Sequence, residues 1–459
     1  MSADFAGRKI HLVGVGGVGM SGLALVARQL GAEVSGSDRE ASSYTARLEQ
    51  AGVTVSIGHD AENIPSGAEV VRSTAVLDEN PELVAAREKG LQIRHRSELL
   101  AELVATRPRC IAVAGSHGKT TTTAMIAHVL DERGLDPSYF VGGEVTIGAR
   151  TTNAHLGDGD IVIIEADESD GSFLRYTPEI AVITNIEFEH PETWSGLDEL
   201  LDAFRDFARP AEHVVIEADQ PRRDELELGA RAITFAPEPI DSDLTALAVL
   251  TPEDPALGSS FRLGDELVQL SVRGEHNVKN ALAAIAALEL VGVSRADSAA
   301  ALGTFAGVGR RFELIGRTAG GAVVYDDYAH HQTEVRAALT TARQTAGGGR
   351  VVAVFLPHLY SRTRTYAREF GESLTLADVV IVADVYPARE RAEDFPGISG
   401  WLIATKTADA APGMPVFYEP TYDDVVQQLD RILRPGDLCM TIGAGDIYRV
   451  ARRIVGQPA

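Results

Sequence analysis

Residues 110–123 read Cys110-Ile111-Ala112-Val113-Ala114-Gly115-Ser116-His117-Gly118-Lys119-Thr120-Thr121-Thr122-Thr123. The first five are small or β-branched apolar residues without polar alternation, the pattern of a strand buried on both faces of a parallel sheet. A glycine-bracketed turn with one lysine follows, and the threonines open a helix. A strand that ends in such a turn and leads straight into a helix presents free amides, backed by about half a positive charge, and so holds phosphate. The strict G-x-x-x-x-G-K-[ST] spacing is not met, because Val113 stands five residues before Gly118. The loop is a shorter variant whose parts keep their jobs: Gly115 and Gly118 expose amides, Lys119 sets a charge on the β/γ-phosphates, and Thr120 offers a hydroxyl to Mg²⁺.

Outward from this loop, short β-branched runs alternate with Ala- and Leu-rich helical stretches, the pattern of parallel sheets covered by crossover helices. The fold class is α/β. Three series of such units are expected, with breaks near Thr106-Arg107-Pro108 and Arg311-Phe312-Glu313: a Rossmann-like domain over 1–107, a central P-loop ATPase-type parallel sheet with extra strands over 108–312, and a second Rossmann-like domain over 313–459. Pro237, Pro239, Pro252 and Pro255 punctuate the middle series and rule out one continuous helix or central strand there. Phe261 to Val272 reads as two strands joined at Gly264-Asp265, a hairpin.

The chain has 459 residues, of which 45% are hydrophobic, enough for several cores. Lys and Arg number 42 against 66 Asp and Glu, a net charge of −24 that disfavours nucleic acid as a partner. Phosphate-bearing ligands must then be held by local amides, Lys, Arg or a metal ion. Cys110 and Cys439 lie in apolar strand-like runs, so neither a disulfide framework nor a zinc site follows. No long apolar stretch occurs, and a soluble cytoplasmic protein with no membrane partner is expected.

Near the N-terminus, the strand Ile10 to Val13 runs into Gly14-Val15-Gly16-Gly17-Val18-Gly19 and a helix through Leu30. This is G-x-G-x-x-G in its proper setting, with Asp38 closing the next strand where a ribose hydroxyl is expected. Three readings stand: NAD, a glycine turn that serves packing alone, and the diphosphate of a nucleotide sugar. In the central series, Ile161 to Ile164 ends in Glu165-Ala166-Asp167-Glu168-Ser169-Asp170, and Ile180 to Thr184 ends in Asn185-Ile186-Glu187-Phe188-Glu189-His190. Glu165 and His190 are expected to complete a metal shell with Thr120 and phosphate oxygens. The remaining acids read as solvated loop charge.

In the last series four strands end in polar groups: Asp326-Asp327-Tyr328-Ala329-His330-His331, Pro357-His358-Leu359-Tyr360-Ser361-Arg362, Asp384-Val385-Tyr386 and Gly443-Ala444-Gly445-Asp446. Parallel strands carry their carboxyl ends to one edge, so a shared crevice is expected. Arg310-Arg311 stands at the second break.

The loop Gly115 to Thr123, the two acidic blocks and Gly274-Glu275-His276-Asn277-Val278-Lys279-Asn280-Ala281 together resemble the ATP-dependent Mur ligases, and Gly14 to Gly22 resembles their alanine-adding branch. The likeness spans about residue 9 to about residue 446. It implies ATP and Mg²⁺, and joining of L-alanine to UDP-N-acetylmuramate in peptidoglycan precursor synthesis by a monomer or weak homodimer. By this resemblance Gly14, Gly16, Gly17, Gly19, Met20, Ser21, Asp38, Ser73 and His190 hold the UDP-sugar. Gly115, Ser116, His117, Gly118, Lys119, Thr120, Thr121, His276, Asn277, Asn280 and Asp327 hold ATP. Lys119, His190, Arg310, Arg311 and His330 serve catalysis, Tyr328, His358 and Arg362 approach the amino acid, and Thr120, Glu165 and His190 ligate the metal. Asn277 also reads as an N-cap for a helix from Asn280 to Leu290.

Two departures stand out. Leu359 follows His358 where some such ligases carry Arg, and Leu201 to Phe207 lacks the lysine that several sister ligases carbamoylate, an absence that fits the alanine-adding branch. Competing readings are a recycling ligase that adds a preformed peptide to the same UDP-sugar, a nicotinamide-dependent oxidoreductase, and a non-catalytic nucleotide sensor.

Overall fold

A computed structural model describes residues 4–191, 193–238, 240–245, 248–250 and 258–457. Pro239, Pro252 and Pro255 lie outside the described residues. The chain divides into two compact units. The first comprises the chain up to Thr251 with Ser259–Ser271 and Asn277–Ala306; the second includes Val272–His276 and everything from Gly307. No helix of the described residues is long and apolar enough to cross a membrane.

The first unit holds two parallel sheets. In one, β1 (Lys9–Val13), β2 (Glu33–Asp38), β3 (Thr54–Ile57), β4 (Glu69–Arg72) and β5 (Ile93–His95) take the order β3-β2-β1-β4-β5. The order reverses between β1 and β4, so the ligand crevice of this sheet lies beyond their carboxyl ends, where Gly14 and Ser73 stand. The other sheet is built from β6 (Arg109–Ala114), β7 (Ser138–Ile147), β8 (Arg150–His155), β9 (Ile161–Glu165), β10 (Ile180–Ile183), β11 (His213–Glu217), β12 (Ala232–Ala236) and β13 (Leu244–Thr245). Its order is β13-β12-β11-β10-β6-β9-β7-β8, with β8 antiparallel at the edge. β6 is therefore flanked by β10 and β9, which brings the ends of all three strands together. A separate antiparallel sheet joins β14 (Ala248–Leu250), β15 (Ser260–Leu263) and β16 (Glu266–Gln269), and β15 and β16 form the hairpin expected at Gly264-Asp265.

One apolar cluster runs through both large sheets, from Ile10, Leu12 and Leu23 to Ala112, Ile164 and Ile183. The helix Val18–Gln29 packs on β8 at Gly22, where a Cβ would lie 2.9 Å from that of Ala154. That close approach accounts for glycine at position 22, since a larger side chain would push helix and strand apart.

Beneath the first sheet lies a buried polar cluster on the helix Pro81–Glu88. The Glu82 carboxylate, fully buried, accepts hydrogen bonds from His11 Nε2 (2.9 Å), Ser37 Oγ (2.8 Å), Asn63 Nδ2 (3.0 Å) and His59 Nδ1 (3.2 Å). Burial alone would raise its pKa, but these donors overcome it and hold the group at about 2. An acid whose folded pKa lies below its unfolded value stabilises the fold above the unfolded pKa and loses that contribution as pH falls through the folded one. Stability, read as a urea midpoint, is expected to fall between about pH 4.5 and pH 2 by on the order of 3 kcal/mol from this group, and Glu82→Gln should flatten that part of the profile.

The second unit is a six-stranded sheet of β17 (Glu313–Arg317), β18 (Val323–Asp327), β19 (Val351–Phe355), β20 (Val379–Val382), β21 (Val416–Tyr418) and β22 (Leu438–Ile442), ordered β17-β18-β22-β19-β20-β21. Only β17 is antiparallel, and apolar clusters cover both faces. The four strands whose ends were singled out, β18, β22, β19 and β20, are consecutive neighbours, so their polar termini share one edge.

Candidate active site

The helix after β6 spans Lys119–Glu132 and so begins two residues before Thr121, where it was expected. Gly118 caps it at φ 82°, and a Cβ there would sit 2.3 Å from Asn280 Oδ1; at Gly115, φ 135°, it would sit 2.1 Å from Thr184 Oγ1. Both glycines are required by conformation and by space. The loop is locked to the end of β10: the His117 amide donates to Asn185 Oδ1 (2.9 Å), Asn185 Nδ2 donates to the His117 carbonyl (3.0 Å), and Ser116 Oγ bridges Glu187 N and O (2.9 and 3.0 Å). The side chains of Ser116 and Asn185 thus shape the loop, and Asn185 takes up two of its amides, that of His117 through Oδ1 and that of Ser116 through its carbonyl (3.1 Å).

Lys119 Nζ donates to the Gly115 carbonyl (2.6 Å) and to Glu168 Oε1 (2.9 Å). Burial pulls its pKa down, yet Glu168, Asp167, Glu165 and Glu189 push it above the ordinary lysine range, so it is a fixed cation. Asp167 is paired with Arg96 (3.0 Å); against burial, Arg96 and Lys119 hold it at about 2. Burial and the neighbouring Asp167 push Glu168 up, with Lys119 opposing.

The expected metal set is brought together in two parts. Thr120 Oγ1 donates to Glu165 Oε1 (3.1 Å), and Glu165 Oε2 accepts the Gly142 amide (2.8 Å). His190 instead joins Glu168 and Glu189, whose ligand atoms all lie within 4.8 Å of one another. Glu168 and Glu189 are 1% and 4% exposed, which overturns their reading as solvated loop charge. The signal for them was position, since Glu189 immediately precedes His190 and Glu168 sits three residues past the end of β9. His190 has φ 58°, a costly value for a non-glycine residue. Its carbonyl accepts Trp194 N (3.0 Å), while Trp194 Nε1 donates to the Glu168 carbonyl (3.1 Å), so one tryptophan ties both ends of the group.

At the N-terminal turn, the Ser37 carbonyl accepts both Gly14 N (2.8 Å) and Val15 N (2.9 Å), and Asp38 Oδ2 accepts Gly16 N (2.9 Å). Asp38 closes β2 as expected and braces the turn itself. Gly17 caps the helix without a side-chain bond, and Gly19 stands in its first turn. The side chains of Met20 and Ser21 are buried, and Ser21 Oγ donates to the Val18 carbonyl (2.9 Å) while its amide donates to the Gly17 carbonyl (2.8 Å).

The N-cap reading of Asn277 is corrected: the helix spans Glu275–Leu290, so Asn277 lies inside its first turn, where Asn280 Nδ2 donates to its Oδ1 (3.2 Å). Gly274, at φ 94°, starts the helix earlier than the Ala-rich run alone suggested. Burial pushes the His276 pKa down to about 4, with Arg311 adding to the effect, so this imidazole is neutral at pH 7.

In the second unit Arg310 is held by Asp326 Oδ2 (2.9 Å) and the Gly443 carbonyl (2.7 Å), its guanidinium 5.0 and 4.8 Å from the rings of Tyr328 and Tyr448. Arg311 lies 3.6 Å from Glu334 and 5.2 Å from the Tyr328 ring. Asp327 accepts the Phe312 and Ala329 amides (2.8 Å each), and burial pushes it up to about 6 against Arg311. The amino-acid candidates gather at one spot: the His330 ring is 5.4 Å from that of Tyr328 and 5.6 Å from that of His358, and buried Arg362 donates to the His330 carbonyl (3.3 Å). Leu359, at φ 65° and 3% exposed, faces the interior, so the apolar residue in place of Arg is used for packing.

Residues 9–108 match the Mur ligase family catalytic domain, 113–288 the Mur ligase middle domain, and 310–445 the Mur ligase glutamate ligase domain. A UDP-N-acetylmuramate–L-alanine ligase of Rubrobacter xylanophilus is 44% identical over 98% of this chain and 100% of its own. Among solved structures, a UDP-N-acetylmuramate–alanine ligase from Thermotoga maritima shares 30% identity at a TM-score of 0.84, and a murein peptide ligase from Psychrobacter arcticus 27% at 0.74, each likeness covering 98% of both chains.

Proposed function

Since this chain belongs to the Mur ligase family, we propose that its two phosphate-binding turns and the polar edge of its last sheet serve one ATP-driven ligation. The enzyme joins the lactyl carboxylate of UDP-N-acetylmuramate to the amine of L-alanine, with release of ADP and phosphate. The observation that carries the residue assignments is Lys119, a buried cation at the mouth of a loop shaped by Gly115 and Gly118.

A carboxylate does not condense with an amine in water unless it carries a better leaving group. In our reading the carboxylate attacks the γ-phosphate, forming an acyl phosphate, and the amine then displaces phosphate through a tetrahedral intermediate. Lys119 holds the transferring group and offsets its charge. Gly14 to Gly19, with Met20, Ser21 and Ser73, hold the UDP-sugar, and Asp38 braces that turn through Gly16 N; His276, Asn277 and Asn280 line the base end of ATP. Arg310 is locked between Asp326 and two tyrosines, so Arg311 is the arm assigned to phosphate, with Arg310 and Asp327 setting its backbone. Arg362, His358 and Tyr328 receive the amino acid, and His330 takes the amine proton.

Carboxylate, hydroxyl and imidazole donors suit Mg²⁺, and two sets fit it: Thr120 with Glu165, and Glu168 with Glu189 and His190. Bound there, the ion would neutralise β/γ-phosphate oxygens. The domain division we favour is 1–107 for the UDP-sugar, 108–312 for ATP and 313–459 for the amino acid, in a cytoplasmic enzyme that is a monomer or weak homodimer.

The test is phosphate release from ATP, Mg²⁺ and UDP-N-acetylmuramate with one amino acid or peptide per well. L-alanine is expected to stimulate release at least about a hundredfold more than a stem tripeptide, the margin a site built for a small side chain achieves. Stimulation by the tripeptide alone would assign the recycling reaction instead.

A further inference from the structure

The Glu82 cluster lies outside every residue so far given a role, and its connections lead to the first glycine turn. Glu82 Oε2 accepts both His11 Nε2 (2.9 Å) and Ser37 Oγ (2.8 Å); Oε1 accepts Asn63 Nδ2 (3.0 Å), His59 Nδ1 (3.2 Å) and the Asp60 amide (3.3 Å). An ionised carboxylate is an acceptor only, with about four lone-pair sites, and here donors from β1, β2 and residues 59–63 fill them. His11 stands on β1 three residues before Gly14, and its Nδ1 pairs with Ser35 Oγ on β2 (2.8 Å). Ser37 closes β2, and its carbonyl accepts the amides of Gly14 and Val15. The next residue, Asp38, accepts Gly16 N. The helix that carries Glu82 follows β4, the partner of β1 at the point where strand order reverses.

We propose that Glu82 is a positioning residue for UDP-sugar binding: through Ser37 it fixes the end of β2, and with it the backbone of the Gly14–Gly16 turn, whose amides are bonded to Ser37 and Asp38. The inference rests on the reading of this turn as the UDP-sugar site. A buried acid needed for stability alone would anchor any part of the sheet. This one instead joins the end of the strand next to the turn to the helix on the other side of the crevice. Water could not replace the link, because Ser37 and Glu82 are both fully buried. Charge matters as well as shape, since a neutral amide would turn an NH₂ toward groups that are themselves donors.

The test uses the full chain in the ligation assay, with KM for UDP-N-acetylmuramate, KM for ATP, kcat and a thermal melt recorded for each variant. Ser37→Ala removes the link while leaving Glu82 its other donors. It is expected to raise KM for the UDP-sugar about tenfold, the effect of one lost hydrogen bond to a charged group, with KM for ATP and kcat within twofold. Glu82→Gln should give the same split with a lower melting temperature, and the double variant should add little to the KM of either alone. Gly16→Val reports on the underlying reading, because its Cβ would meet Asp38 Oδ2 within 2.9 Å. If Gly16→Val raises KM for the UDP-sugar and Ser37→Ala does not, the positioning role is overturned while the turn stands as the site. If neither raises it, the turn is not the site and the proposal falls with it. A Ser37→Ala variant that only melts earlier would also overturn it.

Discussion

Lys119→Ala is expected to lower L-alanine-dependent phosphate release at least about a thousandfold while UDP-N-acetylmuramate still binds. Lys119 faces Glu168, Asp167, Glu165 and Glu189, four carboxylates in its immediate field. Without the ammonium, an incoming γ-phosphate meets uncompensated negative charge in a site shielded from water, where such repulsion is strong. The turn assigned to the UDP-sugar belongs to another sheet and is braced by Ser37 and Asp38, so it is expected to keep its ligand. Lys119→Arg should not restore turnover, since Nζ fills a small space bounded by the Gly115 and Ser116 carbonyls, 2.6 and 3.3 Å away, which a planar guanidinium does not fit. Removing one partner of a buried pair also destabilises, and Glu168→Gln added to Lys119→Ala should recover melting temperature without recovering activity. Retention of a tenth of the wild-type rate by Lys119→Ala would defeat the phosphate-loop assignment.

The parts of this molecule legible in the sequence were those written in local chemistry. The buried strand before Gly115, the glycine turns and the Gly264-Asp265 hairpin each depend on neighbours in the chain, and each stands where its pattern placed it to within a few residues. The polar ends of β18, β19, β20 and β22 were readable as one edge because parallel strands leave no other choice. What escaped depends on separation in the chain. Glu168 and Glu189 look like loop acids until β9 and β10 are seen on either side of β6, which buries both beside Lys119. Glu82 reads as an ordinary first-turn helix acid, and only the fold brings His11, Ser37, His59 and Asn63 to it. The start of the helix at Glu275, ahead of the expected Asn280, escaped for a local reason: a glycine with positive φ precedes it, before the apolar periodicity becomes visible.

His190→Ala is expected to raise the Mg²⁺ concentration needed for half-maximal turnover about tenfold to a hundredfold, and Glu189→Ala to raise it comparably. These two residues and Glu168 form one donor group. Thr120 and Glu165 form another pair, joined at 3.1 Å, and Glu165 is absent from the first group. Glu165→Ala should therefore raise the requirement too, but by a separate route. If the sets hold separate ions, the shifts from Glu165→Ala and His190→Ala add on a logarithmic scale, because neither removal alters the other's donors. If both sets serve one ion, the second removal adds little to the first. Additivity is the expected result, and Thr120→Val combined with Glu165→Ala is the internal control, since those two share one contact and should not add. A magnesium titration unchanged in His190→Ala would remove the imidazole from the metal site. The positive φ of His190 would then be explained by Thr193 and Trp194, whose amides hold its carbonyl.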